Sequence, residues 1–145
     1  GASASALERA AIKAGVVTDA DALSPLGLYR KRHEAGVDSL CIVPEDEGRM
    51  HFALEAAFGE GVECRGEGNA RLSGDKLVLN FARSACLVVA TYEGDRIAMP
   101  GAMDVECSRL CSSRGSLEGV TFPRVSRDPA VARDARGRTG DRLCS

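Results

Sequence analysis

Met50-His-Phe-Ala-Leu-Glu-Ala-Ala-Phe58 is followed by the turn Gly59-Glu-Gly61 and by a second run, Val62-Glu-Cys-Arg-Gly-Glu-Gly-Asn-Ala-Arg-Leu72. In the first run apolar residues occupy every second position, which is typical of a half-buried β-strand, whereas a helix would scatter them around its circumference. In the second run small or apolar residues alternate with charged or polar ones. Small residues on the inward face favour a tightly curved sheet, in which backbones approach closely.

Turn signals extend this pattern in both directions. Gly-Asp occurs between apolar residues at 74–75 and again at 94–95, a pattern that predicts two short hairpins because glycine supplies the positive φ that such turns need. We therefore expect a mostly β fold: a small antiparallel barrel or a strongly curved β-sandwich of about eight strands, which hides sheet edges. A two-layer sheet with a helix across one end is the alternative. The predicted strands are 27–29, 39–43, 50–58, 62–72, 76–82, 86–92, 96–99 and 117–122.

Three segments follow from this pattern. Residues 1–26 contain a predicted amphipathic helix at Ala6–Ala14 and a linker, and residues 27–122 form the β domain, with one or two helical turns at Asp104–Cys111 and Asp104 as the cap. Residues 123–145 are an Arg/Asp-rich C-terminal tail with six Arg and three Asp. Such a composition is typical of disorder, but Cys144 offers this tail a covalent anchor.

The cysteines are the strongest compositional signal. An even number of them in a 145-residue chain indicates three disulfides and an oxidising compartment, so we expect a periplasmic or secreted protein, with a lipid anchor upstream as one version of that setting. Six free buried thiols in a cytosolic protein are the alternative. A net charge of −2 provides no field that would attract nucleic acid. The six positions are Cys41, Cys64, Cys86, Cys107, Cys111 and Cys144.

Hairpin register narrows the disulfide pairing. If Gly74-Asp75 is a two-residue turn, Ser73 faces Lys76, and counting outward places Cys64 beside Cys86. A bridge between these two cysteines is then within the usual Cα separation. The remaining predicted bridges are Cys107 with Cys111, one helical turn apart, and Cys41 with Cys144.

Catalytic patterns are sparse, so we expect no enzyme, no cofactor and no metal. A zinc site would need His33 or His51 beside Cys107-x-x-x-Cys111, and neither histidine is near that motif in sequence. The basic run Arg30-Lys-Arg-His33 is predicted to be a solvated edge, because three basic residues alone make a weak anion site. The closing loop is the best binding candidate, and its contact residues would be Ser112, Ser113, Arg114 and Ser116.

One combination of motifs resembles a known class of proteins. The motifs in this sequence are Val62-Glu-Cys-Arg-Gly-Glu-Gly68, two Gly-Asp turns and Cys107-x-x-x-Cys111-x-x-Arg114-Gly-Ser-Leu-Glu-Gly119. With them, the chain resembles uncharacterised secreted proteobacterial proteins with a β domain ending in Cys-x-x-x-Cys-Gly-x-Arg-Gly-x-Leu-x-Gly. The likeness covers residues 27–122. This chain has Ser112 where glycine is usual, and it adds Cys41 and Cys144.

The resemblance implies a β fold in a periplasmic or lipoprotein setting. It also implies that the four shared cysteines pair among themselves, and it transfers no active-site residue. Similar domains accompany lysozyme-inhibitor-type modules of the bacterial envelope. We therefore expect a non-catalytic binding domain whose partner is an envelope protein or another macromolecule. The alternatives are a carrier of a small apolar ligand inside the barrel and a hydrolase that uses a serine of the closing loop.

Overall fold

The computed structural model describes residues 24–145, so the predicted helix at 6–14 lies outside the described residues. Eight antiparallel strands form a closed barrel, in which each strand pairs with the next along the chain and the last pairs with the first. The predicted barrel is confirmed, and the two-layer alternative is wrong. The strands are β1 (Gly27–His33), β2 (Gly36–Pro44), β3 (Met50–Gly59), β4 (Val62–Ser73), β5 (Lys76–Phe81), β6 (Leu87–Tyr92), β7 (Arg96–Ala98) and β8 (Thr121–Ser126).

Within residues 24–145, three short helical segments accompany the barrel. The 3₁₀ segments are Asp46–Gly48 and Val105–Leu110, and the α-helix α1 is Pro129–Asp134. The predicted cap at Asp104 is confirmed, because its carboxylate accepts a hydrogen bond from the backbone N–H of Glu106 at 2.8 Å. Across residues 24–145, no helix has the length and apolar character needed to span a membrane.

The interior is filled with side chains. Tyr29, Phe52, Phe81 and Phe122 are fully buried together with branched aliphatic residues, and the rings of Phe52 and Phe81 meet edge to face with centroids 4.9 Å apart. The small inward residues of β4 make this packing possible. A Cβ atom added at Gly66 would lie 2.6 Å from the Phe81 ring, so this position has room only for hydrogen.

The alternation of β3 is confirmed in its centre and modified at its edges. Phe52, Leu54 and Ala56 face the interior, as the pattern predicts. Phe58 remains 38% exposed, because the pairing of β3 with β4 shifts register just before Gly59. Glu55, on the outward face, is nevertheless buried. The C-terminal segment covers the outside of the barrel at this point.

That C-terminal segment is ordered. α1 begins at Pro129, with the Asp128 carboxylate accepting a hydrogen bond from Ala130 N–H at 2.9 Å. The helix and the residues after it pack on the outer faces of β1, β2 and β3 and create a second, smaller apolar cluster. Its members are Leu28, Cys41, Val43, Ala53, Ala132, Ala135 and Cys144.

The predicted Cys64–Cys86 bridge is wrong. The register of the Gly74-Asp75 hairpin is as expected, but the β4–β5 ladder ends at the pair Gly68–Phe81. Beyond Phe81 the chain turns into β6 instead of continuing along β4, so Cys86 never reaches the position opposite Cys64. Counting register outward is valid only as far as both strands continue.

The observed bridges join distant parts of the chain. Cys64 pairs with Cys111, and Cys86 pairs with Cys107. The predicted Cys107–Cys111 bridge is therefore wrong: Cys107 lies within the 3₁₀ segment Val105–Leu110 and is bonded to Cys86, just before β6, whereas Cys111 directly follows that segment and is bonded to Cys64 in β4. The four cysteines do pair among themselves, as the resemblance implies. The predicted bridge between Cys41 and Cys144 is confirmed, with Cα atoms 6.1 Å apart.

Candidate binding surface

The loop that follows Cys111 is anchored by Ser112. The backbone N–H of Ser112 donates to the carbonyl of Glu63 at 2.8 Å, and its hydroxyl accepts from the N–H of Glu63 at 3.0 Å and lies 3.3 Å from the carbonyl of Gly61. These bonds attach the loop to the start of β4, next to the Cys64–Cys111 bridge. The hydroxyl of Ser112 is therefore structural.

The tip of the loop faces solvent. Ser113 and Arg114 are exposed, and Ser113 adopts a left-handed backbone conformation with φ of 50°. Within residues 24–145, the guanidinium of Arg114 forms no hydrogen bond or ion pair. The loop thus presents one unpaired cation from a base that two disulfides hold in place.

Ser116 is turned toward a small pocket. Its hydroxyl donates to the Glu118 carboxylate at 3.0 Å, and that carboxylate also accepts from the backbone N–H of Met103 at 3.2 Å. The pocket has a volume of about 210 Å³, and its walls come from residues 103–105, 107, 108 and 111, in and around the 3₁₀ segment Val105–Leu110, and from residues 115–118. No histidine lines it.

The two histidines do not supply a base. His33 shares a wide surface groove of about 570 Å³ with Ser116 at this end of the barrel. Its Nδ1 accepts from the N–H of Ala35 at 3.1 Å, which leaves Nε2 to donate to the Asp38 carboxylate at 2.9 Å. Neither ring nitrogen of His33 is then available to take a proton from serine. His51 lies on the outside of β3 between the carboxylates of Glu45 and Glu67, at 3.6 and 3.7 Å.

Within residues 24–145, the cysteines and acidic side chains also provide no ligand set for a metal ion. All six cysteines are in disulfides. In the described part of the chain, no group of three or more His, Cys, Asp or Glu side chains is placed to hold a metal ion.

A second surface was missed by the sequence interpretation. The basic residues Arg30 and Arg32 of β1 are not a free edge, because the C-terminal segment brings Arg136 and Arg138 beside them. The predicted Cys41–Cys144 bridge was the signal that could have found this, since it docks the arginine-rich tail on β2.

Comparison with protein-family models, with curated proteins and with solved structures finds no match to this chain.

Proposed function

We propose that this chain is a non-catalytic binding domain that works in the periplasm or after secretion, and that its partner is an envelope protein or another macromolecule. The supporting observation is the closing loop, which carries exposed Arg114 on a base fixed by the Cys64–Cys111 bridge and by Ser112. A loop that is already ordered loses little conformational entropy on binding, which favours recognition. Three disulfides, which persist outside the cytosol, support the oxidising setting.

The specific version of this proposal is lysozyme inhibition, to which the sequence resemblance leads. The test is the rate at which lysozyme clears a bacterial suspension in the presence of increasing amounts of the domain. We expect inhibition by the native chain and a loss of inhibition with Arg114→Ala. Arg71→Ala is the matched control, because Arg71 is also an exposed arginine and lies on β4. Unchanged lysis at saturating domain removes the inhibitor version.

A pull-down tests the broader version. The disulfide-intact domain, immobilised at two densities, is incubated with periplasmic extract, and bound protein is compared with that on the Arg114→Ala domain. A partner retained by the native chain and lost with Arg114→Ala supports the closing loop as the contact surface. Equal retention by both contradicts it.

The two alternative functions have less support. A carrier needs an internal cavity, and the inward positions of the barrel are occupied by buried aromatic and aliphatic side chains. A hydrolase needs a base beside its serine; within residues 24–145, the only side-chain partner of the Ser116 hydroxyl is the Glu118 carboxylate, which also accepts a hydrogen bond from the backbone N–H of Met103. Hydrolysis of a chromogenic ester that disappears with Ser116→Ala would revive the second alternative.

A further inference from the structure

The outer face of the barrel contains a pocket lined by four arginines. Arg30 and Arg32 project from β1, and they stand in register with Ser39 and Val37 of β2. Arg136 and Arg138 approach from the C-terminal segment. Together with Glu55 and Gly137, these residues line a half-open pocket of about 190 Å³.

The two halves of this pocket are locked together. Arg30 donates from Nη2 to the carbonyl oxygen of Arg136 at 3.0 Å, and the backbone N–H of Arg138 donates to Glu55 at 3.0 Å. The bridge between Cys41 and Cys144 then fixes the end of the segment to β2. The arginines of the tail are therefore held beside those of β1 before any ligand arrives.

The charge of the pocket is not balanced by its acid groups. The Glu55 carboxylate lies 3.3 Å from the guanidinium of Arg65, outside the pocket lining, and Arg138 also pairs with Glu63. Arg30 donates from Nε to the Ser39 hydroxyl at 3.0 Å and from Nη2 to the Arg136 carbonyl, so its Nη1 group has no partner among the described residues. Arg32 is exposed and makes no hydrogen bond or ion pair within residues 24–145. An excess of positive charge, with unused donors, remains.

We propose that this arginine pocket binds a tetrahedral oxyanion, a phosphate or sulfate group, either free or at the end of a small molecule. The planar guanidinium fork of Arg32 can donate two parallel hydrogen bonds to such an anion, and the Nη1 group of Arg30 can donate a further one. Arg136, whose Nη1 donates to the carbonyl oxygen of Gly140 at 2.9 Å, and Arg138, which pairs with Glu63, add positive charge beside these donors. The volume equals that of roughly six water molecules at about 30 Å³ each. It takes one such group and part of its carrier.

Titration of the isotopically labelled domain with inorganic phosphate, followed by NMR, tests the site. At constant ionic strength, maintained with chloride, we expect saturable shifts of the backbone amides of Ser39, Gly137 and Arg138. Arg32→Gln should weaken phosphate binding on the order of tenfold, because it removes a charged donor that supports no other contact. Arg71→Gln lowers the net charge equally at an exposed position on β4 and should leave the affinity unchanged.

The disulfide provides a second, independent variant. Replacing Cys41 and Cys144 together by alanine should abolish the saturable shifts while the amides of β4 and β5 keep their native dispersion. Arg32→Gln remains decisive if that double variant does not fold. No shifts beyond those caused by chloride, or shifts that Arg32→Gln and Arg71→Gln alter equally, would overturn the proposal.

Two further arms distinguish the source of the anion. Inorganic sulfate is titrated in the same way, and vesicles containing phosphatidic acid are sedimented with the domain. If the domain binds inorganic phosphate, inorganic sulfate or the vesicles, and Arg32→Gln weakens that binding, the site is supported and the source of the anion is identified. If the domain binds none of the three probes, the proposal is contradicted. Arg114→Ala should not change the anion affinity, because Arg114 lies on the closing loop and not in the arginine pocket. The anion site and the proposed partner surface can therefore be supported or refuted independently of each other.

Discussion

Replacing Arg124 with methionine should open the barrel at the point where β8 returns to β1. Only two residue pairs, Leu28–Ser126 and Tyr29–Arg124, join these strands, and a register shift separates them. β6 and β7 are likewise joined by two pairs. The last part of the barrel therefore has few ladder hydrogen bonds, and side-chain contacts must contribute more to its closure than elsewhere.

The Arg124 guanidinium supplies those contacts. It donates to the backbone carbonyls of Ser24 at 2.6 Å, Leu26 at 2.7 Å and Gly94 at 2.8 Å, and to the hydroxyl of Tyr92 at 2.7 Å. It also lies over the aromatic rings of Tyr29 and Tyr92, 5.5 and 5.7 Å from their centroids. One side chain thus connects β8 to the segment before β1 and to the turn before β7.

The cost of the substitution follows from these partners. Removing one partner from a buried charged network costs roughly 3–5 kcal/mol. Because Arg124 is only partly buried, water can reach some of the carbonyls that it leaves, and we expect about 3 kcal/mol, the lower end of that range. For a chain of this size, that corresponds to a fall in Tm of roughly 6–12 °C. Arg124→Lys keeps the charge but not the fork and should lose about 2 kcal/mol.

Urea unfolding followed by tyrosine fluorescence measures these values, since the chain has two Tyr and no Trp. Amide hydrogen exchange should show faster exchange in β8 and β1 than in β3 and β4. Arg71→Met, an exposed substitution on β4, is the control and should stay within about 0.5 kcal/mol of the native chain. If Arg124→Met is as mild as Arg71→Met, the closure of the barrel does not depend on this guanidinium, and the reasoning is refuted.

Three further predictions concern pH, packing and covalent links. Burial holds the pKa of the Tyr29 phenol well above its ordinary value, with Arg124 acting in the opposite direction, so the folded state retains this proton more strongly. Stability should therefore be complete below about pH 10 and decline as the pH rises further, which urea midpoints and tyrosinate absorbance would show. The urea midpoint of Tyr29→Phe should not show this decline, and a native midpoint that is equally independent of pH would contradict the prediction. Gly68→Ala should cost more than about 3 kcal/mol or prevent folding, because the added Cβ would lie 1.9 Å from a backbone oxygen of β5, while Gly101→Ala, with open space around it, should be nearly neutral in the same urea assay. Removing the Cys41–Cys144 bridge, which spans 103 residues, should lower the free energy of unfolding by up to about 4.7 kcal/mol through loop entropy. Removing the Cys86–Cys107 bridge, which spans 21 residues, should lower it by about 3.3 kcal/mol. The reverse order of the denaturant midpoints would show that native contacts, and not loop length, set the loss of stability.

Much of the barrel could be predicted because its determinants are local. The period-two pattern of Met50–Phe58 identifies a strand and its inward face without any knowledge of distant residues, and the Gly74-Asp75 turn fixes the register of its hairpin. The extra length of β1, which continues through the basic run to His33, was not predicted. Pairing with β2 along its whole length overrides the polar character of that run.

The candidate sites were less accessible from the sequence. The closing-loop residues Ser112, Ser113, Arg114 and Ser116 lie in one loop, but the sequence could not distinguish the anchoring role of Ser112 from the exposed position of Arg114. Those roles depend on which carbonyls of Gly61 and Glu63 the loop meets. Such contacts, between residues about 50 positions apart in the chain, leave no local pattern.

The sequence by itself determined the number of strands and most of their positions and turns, since these depend on the alternation of neighbouring residues and on the conformational preferences of glycine, and its even number of cysteines indicated the bridges. The last strand was predicted at 117–122 and lies at Thr121–Ser126. Tertiary structure alone decided which cysteines meet at Cys64 and Cys86, because a ladder can stop wherever a strand turns away. It also decided that Arg136 and Arg138 stand beside Arg30, because that proximity arises from the docking of the tail on the finished barrel.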